Sequence, residues 1–466
     1  MTNQPKKATT RRKPTAENIE DSPAYFLSLE LENVLCFKDK QKLNLTDIKG
    51  NPAQWTVILG NNGVGKTTLL RCLAGMELQP TWIKTSKRFL GTPLLHGLND
   101  LPFDDDSIWK DADTLAYNNA VVQAEIFRGT YLSTIKEVEC LDSYKHEIKV
   151  KMGKTGNISK IRDKTQLVCY GYGATRRMGK TSLGEGYIAK HSSSLFSDNV
   201  TLINAEEWLL QTDYAFKSSS QQTRSHLKKE FDRIIDILKR ILPEIEDIHI
   251  APADGNIPRP RVEFLTPYGW VSLSSLGLGY RTTIAWMVDL AVRLFKRYPD
   301  SEDPLAEPAI VLVDEIDLHM HPQWQRTIME FLTERFPNTQ FIVTAHSPLV
   351  VQAAQDANIV LLRREGDRVV IDNNPEIIEN WRVDQVLTSI FEMPSARPAK
   401  IEPLLARRQE ILTKSKLTKA DKAELKELEE KIGTLPTAET SEDIKAMDII
   451  RRAAKLLEKS SAEAVE

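Results

Sequence analysis

Cysteine is scarce in this chain of 466 residues: Cys36, Cys72, Cys140 and Cys169 lie far apart with no paired spacing. That excludes a zinc ribbon and a disulfide framework. No apolar run reaches the roughly 18 residues of a membrane-spanning helix. The basic cluster Lys6, Lys7, Arg11, Arg12 and Lys13 has no apolar stretch behind it that would make a signal peptide. Charge of one sign is missing too. Lys and Arg number 62 against 65 Asp and Glu, so the net charge of -3 offers no bulk attraction to nucleic acid, although a local basic patch stays open. No repeat of fixed period and no sustained heptad is found. The expectation is a soluble protein of a reducing compartment, cytoplasmic, with no membrane partner.

What is present is an ordinary globular balance, 41% hydrophobic and 27% charged residues, in a length that suits about three folding units or one large α/β domain with insertions. Residues 1–23 read as a flexible basic leader and 24–375 as one domain. Its core halves are 24–80 and 261–375, split by a long mixed insertion over 81–260. Residues 376–466 form a C-terminal helical region. Tyr25 to Val34 suggest a strand, with Leu43 and Leu45 on its hairpin partner. Ala120–Phe127, Val138–Val150 and Gln166–Tyr170 are further strand candidates, followed by an amphipathic helix from about Gln222 to Ile241. Tyr280–Phe295 and Pro322–Phe336 read as helices, and Ala309–Val313 and Gln340–Thr344 as buried strands. Strands alternating with helices imply a mainly parallel central sheet covered on both faces. At the C-terminal end, Leu425, Leu428 and Ile432 form one helical stripe, and Ile444, Met447, Ala454 and Leu457 a second. These helices are open between packing on their own domain and self-association or partner binding.

Three motifs carry chemistry. The apolar run Trp55–Leu59 ends in Gly60-Asn61-Asn62-Gly63-Val64-Gly65-Lys66-Thr67-Thr68, a complete G-x-x-x-x-G-K-[ST] loop, with Leu69, Leu70 and Leu73 at helical spacing behind it. Strand, loop and helix in that order make a phosphate cradle: backbone N–H groups face the phosphates, Lys66 reaches the β- and γ-phosphates, and the Thr67 hydroxyl ligates Mg²⁺. ATP and Mg²⁺ are therefore expected. The apolar strand 310–313 ends in Asp314-Glu315, read as the Mg²⁺ carboxylate and the residue that polarises the attacking water. Phe341–Thr344 delivers His346 to a strand end, where it can reach the terminal phosphate or the water. His319 and His321 are not read as a zinc pair, since no further ligands accompany them. The stretch Leu273–Arg281, with Ser274, Ser275, Gly277 and Gly279, opens a long helix. It is open between a second anion site and a plain capped loop.

Taken together these motifs resemble an ABC-type ATPase head of the SMC, RecF and OLD branch, most closely over Leu29–Gly75 and Arg261–Leu362. The resemblance implies that Leu276–Tyr280 is the signature, which binds ATP held by another protomer. It further makes His346 the switch histidine and Leu318–His321 the loop communicating across the dimer. The family's serine is replaced by Gly277, leaving Ser274 or Ser275 as substitutes. Gln123 is a weak guess for the glutamine loop. Asp314–Pro322, Thr344–Pro348 and Tyr172–Arg177 resemble the OLD-like ATPases of bacterial defence islands, of the PtuA type from the Septu anti-phage system. That implies a homo-oligomer built through ATPase heads and C-terminal helices, and a separate HNH nuclease as partner. DNA would be met through the complex. Arg176 and Arg177 stay open between a phosphate or DNA contact and a surface salt-bridged pair. The chain past Leu362 lacks the Asp-x-Asp cluster of TOPRIM nucleases, and it has no HNH histidine pair, so it is expected to cut nothing itself. Two rival readings remain: a repair ATPase acting on DNA ends, and a scaffold with structural, slowly hydrolysed ATP.

Overall fold

The computed structural model describes residues 24–76, 78–81, 90–93, 121–128, 144–151, 167–179, 191–242, 244–254, 258–354, 356–375, 382–391, 393, 398–414 and 418–432. The leader and the second C-terminal stripe lie outside them. By backbone proximity the chain divides into two units, Met1–Val386 and Leu387–Glu466.

The first unit is organised by a six-stranded sheet. In chain order its parts and neighbours are β1 (Ala24–Glu32), β2 (Gln41–Asn44), β3 (Trp55–Gly60), α1 (Lys66–Ala74), β4 (Leu78–Thr81), β5 (Leu90–Pro93), β6 (Val121–Arg128), β7 (Tyr144–Lys151) and β8 (Cys169–Tyr172). There follow α2 (Ala205–Ser218), α3 (Gln221–Ile241), β9 (Asp247–Ala251), β10 (Arg261–Thr266), β11 (Gly269–Ser272), α4 (Leu278–Arg297), β12 (Ala309–Val313), α5 (Pro322–Arg335), β13 (Thr339–Thr344), α6 (Pro348–Ala353), β14 (Asn358–Glu365) and β15 (Arg368–Asp372). The central order is β15-β14-β3-β13-β12-β8, parallel throughout except at the β14–β15 edge. Strands β3, β12, β13 and β8 are buried at every residue, as strands of a parallel sheet covered on both faces should be. The expected α/β class with a mainly parallel sheet is the one observed.

A second sheet, antiparallel in the order β2-β1-β6-β7, packs on the first. Its docking combines an apolar core with polar links, among them Asn358 Nδ2 donating to the Asn44 carbonyl at 2.7 Å and the Ile371 N–H donating to Gln41 Oε1 at 3.1 Å. The buried Gln340 side chain both accepts from the Phe26 N–H and donates to the Phe26 carbonyl, each at 2.8 Å, so one amide satisfies a β1 backbone pair from β13. Around it Phe26, Leu29, Leu31, Phe37, Ile58, Leu69, Leu73 and Ile342 form a continuous core. The stretch 81–260 thus supplies β6 and β7 to this sheet and β8 to the central one. Its strands begin later than the sequence pattern suggests. In particular β8 occupies Cys169–Tyr172, where it pairs with Ile310–Val313 of β12.

In the second unit, α8 (Glu402–Leu412) and α9 (Lys419–Ile432), which follow the short α7 (Val383–Ser389), bury Ile411, Leu428 and Ile432 against each other, with Leu404, Leu405 and Leu425 at the margin. The stripe over Leu425–Ile432 is therefore satisfied inside this helix pair. Arg407 bridges the two helices through Glu424 at 2.7 and 3.1 Å. No helix among the described residues is long and apolar enough to cross a membrane.

Candidate nucleotide site

The ends of four adjacent strands meet at one place. β3 runs out into the phosphate loop, β12 into Asp314-Glu315, β13 into Thr344-Ala345-His346, and β8 into Gly173–Arg177. Because the strands are parallel, all four turns open on the same edge of the sheet, where open α/β sheets hold ligands.

The phosphate loop is already shaped. Gly63 and Gly65 stand at φ 80° and 86°, a region costly for residues with a Cβ. At Gly65 space is short as well, since a Cβ there would lie 2.6 Å from Cys36 Sγ and 2.9 Å from the Phe37 ring. Helix α1 follows with no side-chain cap, leaving its first N–H groups free for an anion. Lys66 is buried and donates to the carbonyls of Gly60 and Asn61, both at 2.9 Å, so its ammonium is held over the phosphate loop. Burial lowers its pKa, against the opposing pull of Asp314, Glu315 and Asp317.

Asp314 is the pivot of the acidic side. Thr67 Oγ1 donates to its Oδ2 at 2.7 Å and Thr344 Oγ1 donates to its Oδ1 at 2.6 Å. The hydroxyl and the carboxylate expected to share one cation are thus in direct contact, although they lie 247 positions apart in the chain. The pair fits Mg²⁺, a hard ion that takes one or two carboxylates and hydroxyl oxygen beside substrate phosphates. Thr344 also accepts the Glu315 N–H at 2.7 Å. Glu315 itself is left-handed at φ 48°, a conformation that costs about 1–3 kcal/mol at a non-glycine residue and persists only where neighbours hold it. Those neighbours are Thr344, which accepts its N–H through Oγ1 and the following Ile316 N–H through its carbonyl at 2.9 Å, and, at the Glu315 carbonyl, the Leu318 N–H at 3.0 Å and Arg176, whose Nη2 donates at 2.8 Å.

His346 sits beside this pair. Its backbone N–H donates to both Asp317 oxygens, at 3.1 and 3.3 Å. Burial first, then the Lys66 ammonium, lower the imidazole pKa, against Asp317, Glu315 and Asp314. Gln325 ties the two turns together, donating to the carbonyls of Asp317 and Met320 and accepting from Ser347 Oγ at 2.6 Å. His321 is accounted for locally: as the residue capping α5, its Nδ1 accepts the Gln323 N–H at 3.3 Å.

The signature residues lie elsewhere. Ser274, Ser275 and Gly277 are exposed, and Gly277 starts the 20-residue α4 with no side-chain cap. Among the described residues no hydrogen bond joins them to the phosphate loop; the serine hydroxyls cluster on Ser272 Oγ at 2.9 and 3.0 Å. Gly279 instead presses on the Leu318–His321 loop, where a Cβ would fall 2.2 Å from the His319 carbonyl oxygen. Gln123 belongs to β6 in the antiparallel sheet, opposite Glu30 and Lys149. Arg176 and Arg177 are not a surface pair. Arg177 is exposed, but Arg176 is 1% exposed and points under the acidic turn. Thr344, the first residue of the Thr344–Pro348 motif, is a site residue that no local sequence pattern marks.

The phosphate loop, the acidic pair and His346 lie within segments matched by family models. Residues 188–352 match the family model described as "AAA domain, putative AbiEii toxin, Type IV TA system", and residues 28–76 match an AAA domain model. The Septu protein PtuA of Bacillus mycoides is 25% identical over 84% of this chain and 48% of its own length. The chain resembles Septu and retron ATPases. A Retron Ec83 probable ATPase of Escherichia coli is 32% identical over 42% of this chain and 36% of its own length. The chain spans about half or less of the length of these Septu and retron relatives. Among solved structures, an SMC head bound to the C-winged helix domain of ScpA superposes with a TM-score of 0.41 at 14% identity, covering 75% of this chain and 97% of that one.

Proposed function

We propose that this chain is the ATP-hydrolysing subunit of an anti-phage defence complex of the Septu or retron kind. The observation that carries the reading is the contact of Thr67 with Asp314 at 2.7 Å, which joins the phosphate loop to the acidic pair. Similarity to PtuA over most of the chain supports the biological setting.

In this reading Gly60–Thr68 hold the triphosphate, with Lys66 leaving its two carbonyls to reach the β- and γ-phosphates. Thr67 and Asp314 hold Mg²⁺, which when bound neutralises charge on the phosphates and exposes the terminal phosphorus to water. Glu315 orients that water and takes its proton. His346, with its pKa lowered, serves as a neutral hydrogen-bonding group beside the terminal phosphate. Ser274, Ser275, Gly277 and Gly279 face the nucleotide of a second copy, so catalysis requires association of two heads. The ATP state of that assembly then gates a separate HNH nuclease, and this chain cuts no DNA itself.

The test compares phosphate release with the amount of nucleotide bound, on wild type and Lys66→Ala. The reading expects wild type to bind and slowly hydrolyse ATP in the presence of Mg²⁺, and the variant to bind none. Binding without any phosphate release indicates a scaffold instead, and unchanged binding by Lys66→Ala overturns the site. Co-purification with an HNH protein from the same gene neighbourhood checks the partner.

A further inference from the structure

Arg176 is the largest charged side chain among the fully buried residues, and the site as described so far gives it only one task. Its Nη2 donates to the Glu315 carbonyl at 2.8 Å, whereas Nε and Nη1 are buried with no hydrogen-bond partner. An apolar side chain of similar length would fill that volume without leaving two donors unpaired, so packing does not account for a guanidinium here. Its surroundings are acidic. Asp314, Asp317 and Glu315 all hold its charge in place against burial, which pushes the guanidinium down to about 10, still charged at neutral pH. Two of those carboxylates are committed: Asp314 to Thr67 and Thr344, and Asp317 to the His346 N–H.

The mounting of Arg176 is stiff. The loop after β8 is stitched to residues 191–202: Gly171 donates to the His191 carbonyl at 2.9 Å, Ser194 Oγ to the Gly171 carbonyl at 2.7 Å, Leu202 to the Arg177 carbonyl at 2.8 Å and Gly179 to the Leu202 carbonyl at 2.9 Å. Arg176 itself takes φ 33°. The side chain therefore enters from a fixed platform and meets a peptide that is itself left-handed and must be held. The Glu315 carbonyl accepts from Arg176 and from the Leu318 N–H of its own turn, and Thr344 accepts the Glu315 N–H, so Arg176 and Thr344 are the two side chains that bracket the residue.

We infer that Arg176 is a positioning residue for hydrolysis: it clamps the Glu315 peptide from the buried side and so determines where the Glu315 carboxylate stands relative to the attacking water. Sealed from solvent, it does not touch the nucleotide. It acts through Glu315, and the inference rests on the role proposed for that residue.

The experiment uses the full chain with Arg176→Met, which keeps the volume, and Arg176→Lys, which keeps one donor and the charge. Three measurements are made: ATP affinity by calorimetry, phosphate release at varied ATP, and hydrogen exchange of the 310–318 backbone without nucleotide. The expected result for Arg176→Met is unchanged ATP affinity and a kcat lowered roughly 10- to 100-fold, the usual effect of losing an outer support of a working group. KM stays unchanged and exchange at 314–318 is faster, while 60–68 is unaffected. Arg176→Lys falls between it and wild type, and adding Arg176→Met to Glu315→Gln gives no further loss. Wild-type turnover in Arg176→Met, a loss confined to KM, or additivity with Glu315→Gln overturns the inference. Should wild type neither bind nor hydrolyse ATP, the nucleotide reading fails, and unaltered exchange at 314–318 then refutes the clamp separately. If Arg176→Met does not fold, Arg176→Lys is judged by the same three measurements.

Discussion

Replacing Thr344 by valine preserves the shape of a fully buried side chain and removes a single hydroxyl. That hydroxyl donates to Asp314 Oδ1 at 2.6 Å and accepts the Glu315 N–H at 2.7 Å. The first is a bond to a charged group, worth about 1.5–3 kcal/mol, and the second loss leaves a buried donor unpaired at about 1–3 kcal/mol. Together they give an expected destabilisation of about 2.5–6 kcal/mol, a large share of the roughly 5–15 kcal/mol that holds a typical domain folded. Thr344→Ser is the control. It keeps both bonds and loses one methyl, for about 1 kcal/mol. Urea denaturation followed by tryptophan fluorescence gives the two midpoints, compared at common slope. If valine and serine agree to within about 1 kcal/mol, the hydroxyl is not the pivot we describe and the reasoning about Asp314 fails.

Glu315→Gln should retain ATP while phosphate release falls by roughly 10³-fold; turnover at the wild-type rate removes the residue from the mechanism. Gly279→Ala drives a methyl into the His319 carbonyl, 2.2 Å from the ideal Cβ. It should cost about 1–3 kcal/mol, seen as a lower melting temperature, and an unshifted melt refutes the contact. His191 offers a pH test. Burial, then Arg293 and Arg297, push its imidazole down to about 4 from 6.5, with Asp289 opposing. Because the unfolded chain takes up that proton first, stability is complete above about pH 6.5 and falls as pH drops from there toward 4. His191→Gln should flatten the decline in a series of urea melts, and an identical slope would count against the assignment.

The parts of the site legible in the sequence share one trait: each is an abrupt polar turn after a short apolar run. That is how Gly60–Thr68, Asp314-Glu315 and His346 announce themselves, since a buried parallel strand is mostly apolar and the sheet edge need not be. Thr344 and Arg176 escaped because their meaning lies in partners far along the chain. A threonine ending a strand reads as β-propensity, and the Arg176-Arg177 pair reads equally as a phosphate or DNA contact and as a surface salt bridge. Only the adjacency of β8 to β12 turns Arg176 inward. Its signal was available in the same form as the others, a short apolar strand stopped by glycine, but the strand was placed two or three residues early. The link from Tyr172 Oη to Asp289, at 3.0 Å, and on to Arg293, at 2.6 Å, was likewise invisible. A buried acid inside a long apolar helix has no local pattern that names its partner.

The order of strands in the central sheet has a consequence for synthesis. β3, which carries the phosphate loop, has β13 and β14 as its two neighbours, at 341–344 and 358–362. As the polypeptide leaves the ribosome, Trp55–Gly60 must wait with both flanks unpaired until nearly three hundred further residues have been translated. An apolar strand exposed on two sides is a template for wrong pairing, so this segment is where we expect chaperones to be needed. In the function proposed above, the same delay would keep a half-made chain from engaging ATP, because Thr67 and Asp314 come together only once the late strands have threaded in.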